Sequence, residues 1–140
     1  MPYTIEYIVK RTPTLRKRAA RYVKITRLKL FHDKKGKPVA ACQSYSTHEI
    51  LPNGFIYKKR TKTKYVTVIT LLDRKYHCKV SCSCPDFTFS GAEFVLHQKG
   101  SADIEYSNGE APTLKNPGMR PMGCKHIVAL YEKIRPELEK

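Results

Sequence analysis

Two short pairs of residues constrain this chain more than anything else in it: Cys82-x-Cys84 and, far downstream, Cys124-x-His126. Three thiols and an imidazole in two tight pairs are what a structural zinc ion takes, and a closed tetrahedral Cys3His set leaves no coordination position for a substrate. Cys82 and Cys84 end a strand-like run, Lys79-Val80-Ser81-Cys82-Ser83-Cys84, and Pro85 stops it. Residues i and i+2 of a strand share a face, so the two cysteines reach one ion while Ser83 turns away. Cys124 and His126 open a helix-like run that continues through Tyr131. At a helix start, unpaired backbone N–H groups and the dipole favour a thiolate. Three thiolates on Zn2+ leave a net negative charge, which Lys125 helps to balance.

The order Cys-x-Cys, spacer, Cys-x-His on a strand, strand and helix resembles the SWIM-type zinc finger over about residues 64 to 134. Cys84-Pro85-Asp86-Phe87 and Gly123-Cys124-Lys125-His126-Ile127 carry the likeness beyond the ligands. The spacer is longer than that family's usual one. Pro-Asp-Phe after the first pair, and Asn116-Pro117 with Arg120-Pro121 leading into Cys124-Lys125-His126, are similar to SWIM-type proteins among tailed-bacteriophage structural genes. That resemblance implies a virion or DNA-packaging component.

Charge is the second strong feature. The formal net charge is +15. Between Lys10 and Lys37 twelve Lys or Arg face one acid, Asp33, so that stretch holds +11 of the total. Lys58-Lys59-Arg60-x-Lys62-x-Lys64 adds five more cations. Such asymmetry is the footprint of a polyanion partner, most often nucleic acid, with an acidic protein surface as the competitor. Candidate contacts are Arg16, Lys17, Arg18, Arg21, Lys24, Arg27, Lys58, Lys59, Arg60, Lys62 and Lys64. Tyr22, Tyr45, Phe55 and Tyr57 are interleaved with them and suit core packing, or base stacking on a single strand.

At 140 residues the chain reads as one small α+β fold: a zinc-stabilised strand-strand-helix unit, an additional antiparallel β portion and a basic N-terminal arm. Residues 1-63 form the basic N-terminal region. Residues 64-140 form the zinc-finger domain, with a long insertion at 85-122. Five cysteines, an odd number, with metal spacing point to a reducing compartment. No run of about 18 apolar residues is present, and the first residues lack the order of a signal peptide. The expected location is a virion or host cytoplasm, not outside the cell.

Alternation of Tyr3, Ile5, Tyr7 and Val9 predicts a strand over 3-9. Thr14 caps a helix to about Arg21 and a strand runs from Val23 to Phe31, with a single helix over 15-30 as the alternative; Asp33 to Lys37 turn, and Val39 to Tyr45 returns. Pro52-Asn53-Gly54 is a turn. Tyr65 to Leu72 is a β-branched strand, Asp73 to Lys75 turn, and Tyr76 to Ser83 runs back. Pro136 is expected to end the last helix. In the spacer, Phe87, Phe89, Phe94, Val95 and Leu96 suggest a strand or amphipathic piece, and Asp103 to Tyr106 a short strand. Strand parity puts Cys78 on the face of Cys82, near the site, though a buried apolar role suits it better. Cys42 reads as core, and His32, His48 and His97 as surface or turn residues.

Catalysis has little support. Every well-placed Cys and His serves the metal, the acids do not cluster, and no glycine-rich phosphate loop is present. The expectation is a non-enzymatic nucleic-acid-binding module. The alternative is a structural assembly protein of a phage neck, tail or head whose basic arm binds acidic neighbouring subunits.

Overall fold

The structure, a computed structural model, describes residues 2–89, 92–103 and 120–138. The elements run α1 (Ile5–Arg11), α2 (Thr14–Ala19) continued by one 3-10 turn, β1 (Val23–His32), β2 (Pro38–Ser46), β3 (His48–Ile50), β4 (Ile56–Lys58), β5 (Tyr65–Leu71), β6 (Cys78–Cys82), α3 (Pro85–Phe89), α4 (Ala92–Gln98) and α5 (Lys125–Leu138). The fold is mixed α and β, as the sequence predicts.

Four strands form an antiparallel sheet in the order β1-β2-β5-β6, and β3 and β4 form a separate hairpin. The sheet therefore takes two strands from each side of residue 63. Core-facing side chains follow strict alternation: Ala40 and Cys42 on β2, Ile69 and Leu71 on β5, Cys78, Val80 and Cys82 on β6. Ile127, Leu130 and Ile134 of α5 supply the helical side of the same core.

The basic stretch that the sequence presents as an arm is built into this core. Ile5 and Ile8 are almost fully buried, and Ala20 packs on Val128 and Ala129. The expected strand over 3-9 is instead α1. Thr4 caps it, its hydroxyl accepting from the Tyr7 N–H at 3.1 Å, and Glu6 and Lys10 lie at the dipole ends they favour. Ile8 is apolar where a strand would need a polar residue, and Ile5 with Ile8 makes a helical stripe. Tyr3 and Thr4 do pair with the edge of β6, through the Cys78 N–H to the Tyr3 carbonyl at 2.9 Å and the Thr4–His77 bridge.

One alternative is resolved and one further expectation corrected. The spacer piece is amphipathic and helical rather than a strand, with Phe87, Val95 and Leu96 buried; β6 ends at Cys82 and Pro85 opens α3. Pro136 does not end α5, which runs on to Leu138. Only the last turn lies beyond the proline, and the Tyr76 hydroxyl donates to the Leu138 carbonyl at 2.8 Å, satisfying one terminal acceptor. The strand expected from Asp103 to Tyr106 and most of the proline-guided lead lie outside the described residues.

α1 gives a direct test. Ile8→Ala should cost about 2–5 kcal/mol in urea unfolding, whereas Tyr7→Ala should stay within about 1 kcal/mol. The reverse ranking would restore the strand reading.

Candidate metal centre

Cys82 closes β6, and Cys84 follows just before Pro85 starts α3. Cys124 sits immediately ahead of α5, its carbonyl accepting from the Val128 N–H at 3.1 Å, and His126 stands in the first turn. The donor atoms of these four residues all lie within 4.8 Å of one another, and all four residues are buried. With metal–sulfur and metal–nitrogen bonds of about 2.3 and 2.0 Å, donors around a tetrahedral ion stand roughly 3.5–3.8 Å apart. The Cys124 Sγ to His126 Nδ1 distance is 3.8 Å. The cluster can thus hold one metal ion with only a small contraction.

Its electrostatics point the same way. Hydrogen bonds from Cys124 and then Cys84 hold the Cys82 thiol down to about 4, against the pull of burial. Burial, and then the neighbouring Cys82 and Cys84 sulfurs, push Cys124 well above the usual thiol range. One thiol of the group ionises readily and another resists, because adjacent thiolates repel in a dry site. A bound cation removes that conflict. The Thr67 hydroxyl lies 3.5 Å from Cys82 Sγ, placed there by the β5–β6 register that sets Thr67 opposite Cys82. The Tyr65 ring lies against the His126 imidazole, with centroids 5.3 Å apart.

Cys78 and Cys42 stay outside the donor set. Burial raises Cys78 to about 12, and burial followed by the Cys82 charge raises Cys42 to about 11, so both remain protonated core thiols.

The N-terminal segment clamps the second ligand pair. Gly123 precedes Cys124, and both of its backbone groups are held. Its N–H donates to Thr12 Oγ1 at 3.0 Å, and its carbonyl accepts from Arg16 Nη1 at 3.0 Å. Arg16 Nη2 also meets Asp86 Oδ1 at 2.9 Å, just past Cys84. One guanidinium thus ties the two halves of the site together. A Cβ at Gly123 would come within 3.2 Å of Ile127 Cγ2, so any larger residue at this entry into α5 would make the Ile127 side chain shift. Nothing in the sequence marks Thr12 or Arg16 for this role, because their partners are backbone groups over a hundred residues away. Thr67 could have been found by registering the hairpin.

The expected polyanion contacts divide. Arg16 is mostly buried in the clamp, and Lys17 donates to the Lys10 carbonyl at the end of α1. Lys59 and Lys125 share Glu49, at 3.2 and 2.8 Å. Burial pushes the Glu49 carboxyl up, but the hydrogen bond and charge of Lys125, then those of Lys59, more than offset this and hold it below the usual range. Arg18, Arg21, Lys24, Arg27, Lys58, Arg60, Lys62 and Lys64 are exposed. They make no ion pair among the described residues, and Lys62 lies over the Tyr45 ring at 5.7 Å.

Compared with known proteins, the chain matches no family model, no curated protein and no solved structure.

The clamp predicts that Thr12→Val, which strands the buried Gly123 N–H, costs about 1–3 kcal/mol and weakens metal binding roughly tenfold or more. Competition against a chromophoric chelator measures this. Unchanged affinity would mean that the donors are held without the N-terminal helices.

Proposed function

We propose that this chain is a non-enzymatic zinc protein whose basic surface contacts nucleic acid, without reading sequence, as a virion or DNA-packaging-associated component. Zinc suits a closed set of three thiolates and one imidazole, since it takes soft ligands in a tetrahedron. Such a site fills every coordination position, which argues for a structural rather than a catalytic ion. The SWIM-type reading is supported by the same four residues on a hairpin end and a helix start.

The observation that carries the nucleic-acid reading is the set of exposed cations that make no ion pair among the described residues: Arg18, Arg21, Lys24 and Arg27 after α1, and Lys58, Arg60, Lys62 and Lys64 from the end of β4 onward. Cations ion-paired in the fold have their charge satisfied, whereas these eight are exposed and make no ion pair among the described residues, Lys62 resting only on the Tyr45 ring, and are available to phosphates. Phosphate contacts give affinity through counterion release and carry no sequence information.

A second reading, a particle-assembly protein bound to acidic neighbouring subunits, draws on one observation. An apolar groove of about 200 Å³ opens between the β1–β2 turn and the end of α5, lined by Leu30, Phe31, Ile134 and Leu138 among others. Leu30 is 58% exposed there.

Fluorescence anisotropy on duplex DNA across a salt series separates the two. The nucleic-acid reading predicts a linear fall of log affinity with log salt, with a slope of about −0.9 per phosphate engaged. Weak binding at low salt with no salt response would favour the assembly reading.

A further inference from the structure

The β3–β4 hairpin gathers exposed apolar side chains in a short stretch of chain. Among the described residues, four of the eight large hydrophobics that stand exposed lie within it: Leu51 at 40%, Phe55 at 61%, Ile56 at 38% and Tyr57 at 43%. Large apolar side chains gathered at a projecting tip mark a contact surface. The tip is well formed. The Leu51 N–H donates to the Phe55 carbonyl at 2.8 Å and the Gly54 N–H to the Leu51 carbonyl at 2.8 Å, with Gly54 at φ +89°. The base is anchored. Thr47 donates through both its N–H and its hydroxyl to the Tyr22 carbonyl, at 2.8 and 3.1 Å, and the Lys59 N–H reaches the Thr47 carbonyl at 2.9 Å. The hairpin is therefore a short two-stranded element, hydrogen-bonded at its base and at its turn, with an apolar end.

Charge says what the arm meets. From Thr47 to Lys64 the sole acid is Glu49, and it is turned onto Lys59 and Lys125 at the base. Lys58, Arg60, Lys62 and Lys64 follow directly and are exposed. The hairpin thus presents apolar side chains at its tip, with cations at its base, where Lys58 pairs with His48, and in the segment that follows it. Cations match the phosphate rails of a duplex, but Leu51, Phe55 and Ile56 have nothing to offer phosphate. They match the base stack. Two of the four tip residues are aliphatic, which suits wedging between base pairs better than stacking on a single base.

We propose that the β3–β4 hairpin is a DNA-inserting arm: its tip, led by Phe55 and Leu51, wedges between base pairs from the minor groove and kinks the duplex. The four cations hold the flanking phosphates. This rests on the nucleic-acid reading above and adds deformation of the DNA to it.

The test uses the full chain and an end-labelled duplex of about 25 base pairs, read by energy transfer between the ends and by anisotropy in parallel. The wild-type protein should bring the ends closer, as a kink of roughly 20–90° would. Phe55→Ser and Leu51→Ser replace exposed residues and should leave the thermal midpoint near that of the wild type. They should abolish the kink and weaken binding roughly tenfold, while the salt slope stays unchanged. Lys58→Gln with Arg60→Gln should instead make the slope shallower by about 2. Salt-dependent binding with no kink, or a kink that survives both tip substitutions, overturns the arm and leaves the nucleic-acid reading standing. An absence of DNA binding by the folded wild-type protein overturns both. Loss of self-association or of binding to an acidic protein in the tip variants, with DNA binding intact, would assign the hairpin to a protein partner.

Discussion

Everything else in this structure depends on four donor atoms that have no water to ionise against. Cys82, Cys84, Cys124 and His126 are buried together. A cluster of thiolates in such a place is costly unless a cation neutralises it. The cluster also lies where the end of the β5–β6 hairpin meets the start of α5, so whatever occupies it joins the sheet to its longest helix. The N-terminal helices then lock onto that junction through Thr12 and Arg16. The proposed ion would therefore act on the whole small domain, which is how metal binding becomes folding free energy.

That arrangement alters the meaning of the charge. Seventeen basic residues between Lys10 and Lys64 look alike in the sequence, yet the fold uses them differently. Arg16 is a tie between two backbone segments, Lys17 caps a helix end, and Lys59 shares Glu49 with Lys125. Lys37 donates to the Leu72 carbonyl at 2.9 Å, and the remainder face solvent. The proposed interaction surface is what is left after the fold has satisfied its own needs, and it lies on both the 3-10/β1 stretch and the hairpin beyond β4. A count of charges overstates the contacts, because some of the cations serve the domain itself.

Local pattern made much of this legible. The β5–β6 hairpin, the long helix and the four metal donors all follow from period-2 alternation, helical spacing and the ligand pairs. What failed was local too. Over residues 3-9 the aromatic alternation outweighed Ile8, but a threonine cap and the burial of Ile5 with Ile8 select a helix. Pro136 looks like a stop signal, yet so near the helix end it removes little hydrogen bonding, and a tyrosine from the hairpin loop satisfies the Leu138 carbonyl. The clamp by Thr12 and Arg16 was invisible because it joins side chains to the backbone of a distant glycine. The exposure of Leu51, Phe55 and Ile56 was hidden for a similar reason, since apolar residues beside a turn look like core until no sheet or helix covers them.

Replacing the proposed zinc with Co2+ tests the central claim most directly, because cobalt takes the same site and reports its geometry by absorption. One equivalent should bind per chain with the intense visible bands of a tetrahedral, thiolate-rich site. Zinc should displace it, and Cys124→Ser should weaken or shift the bands. Absence of those bands in a folded protein, or identical spectra from variants of all four ligands, would contradict the account.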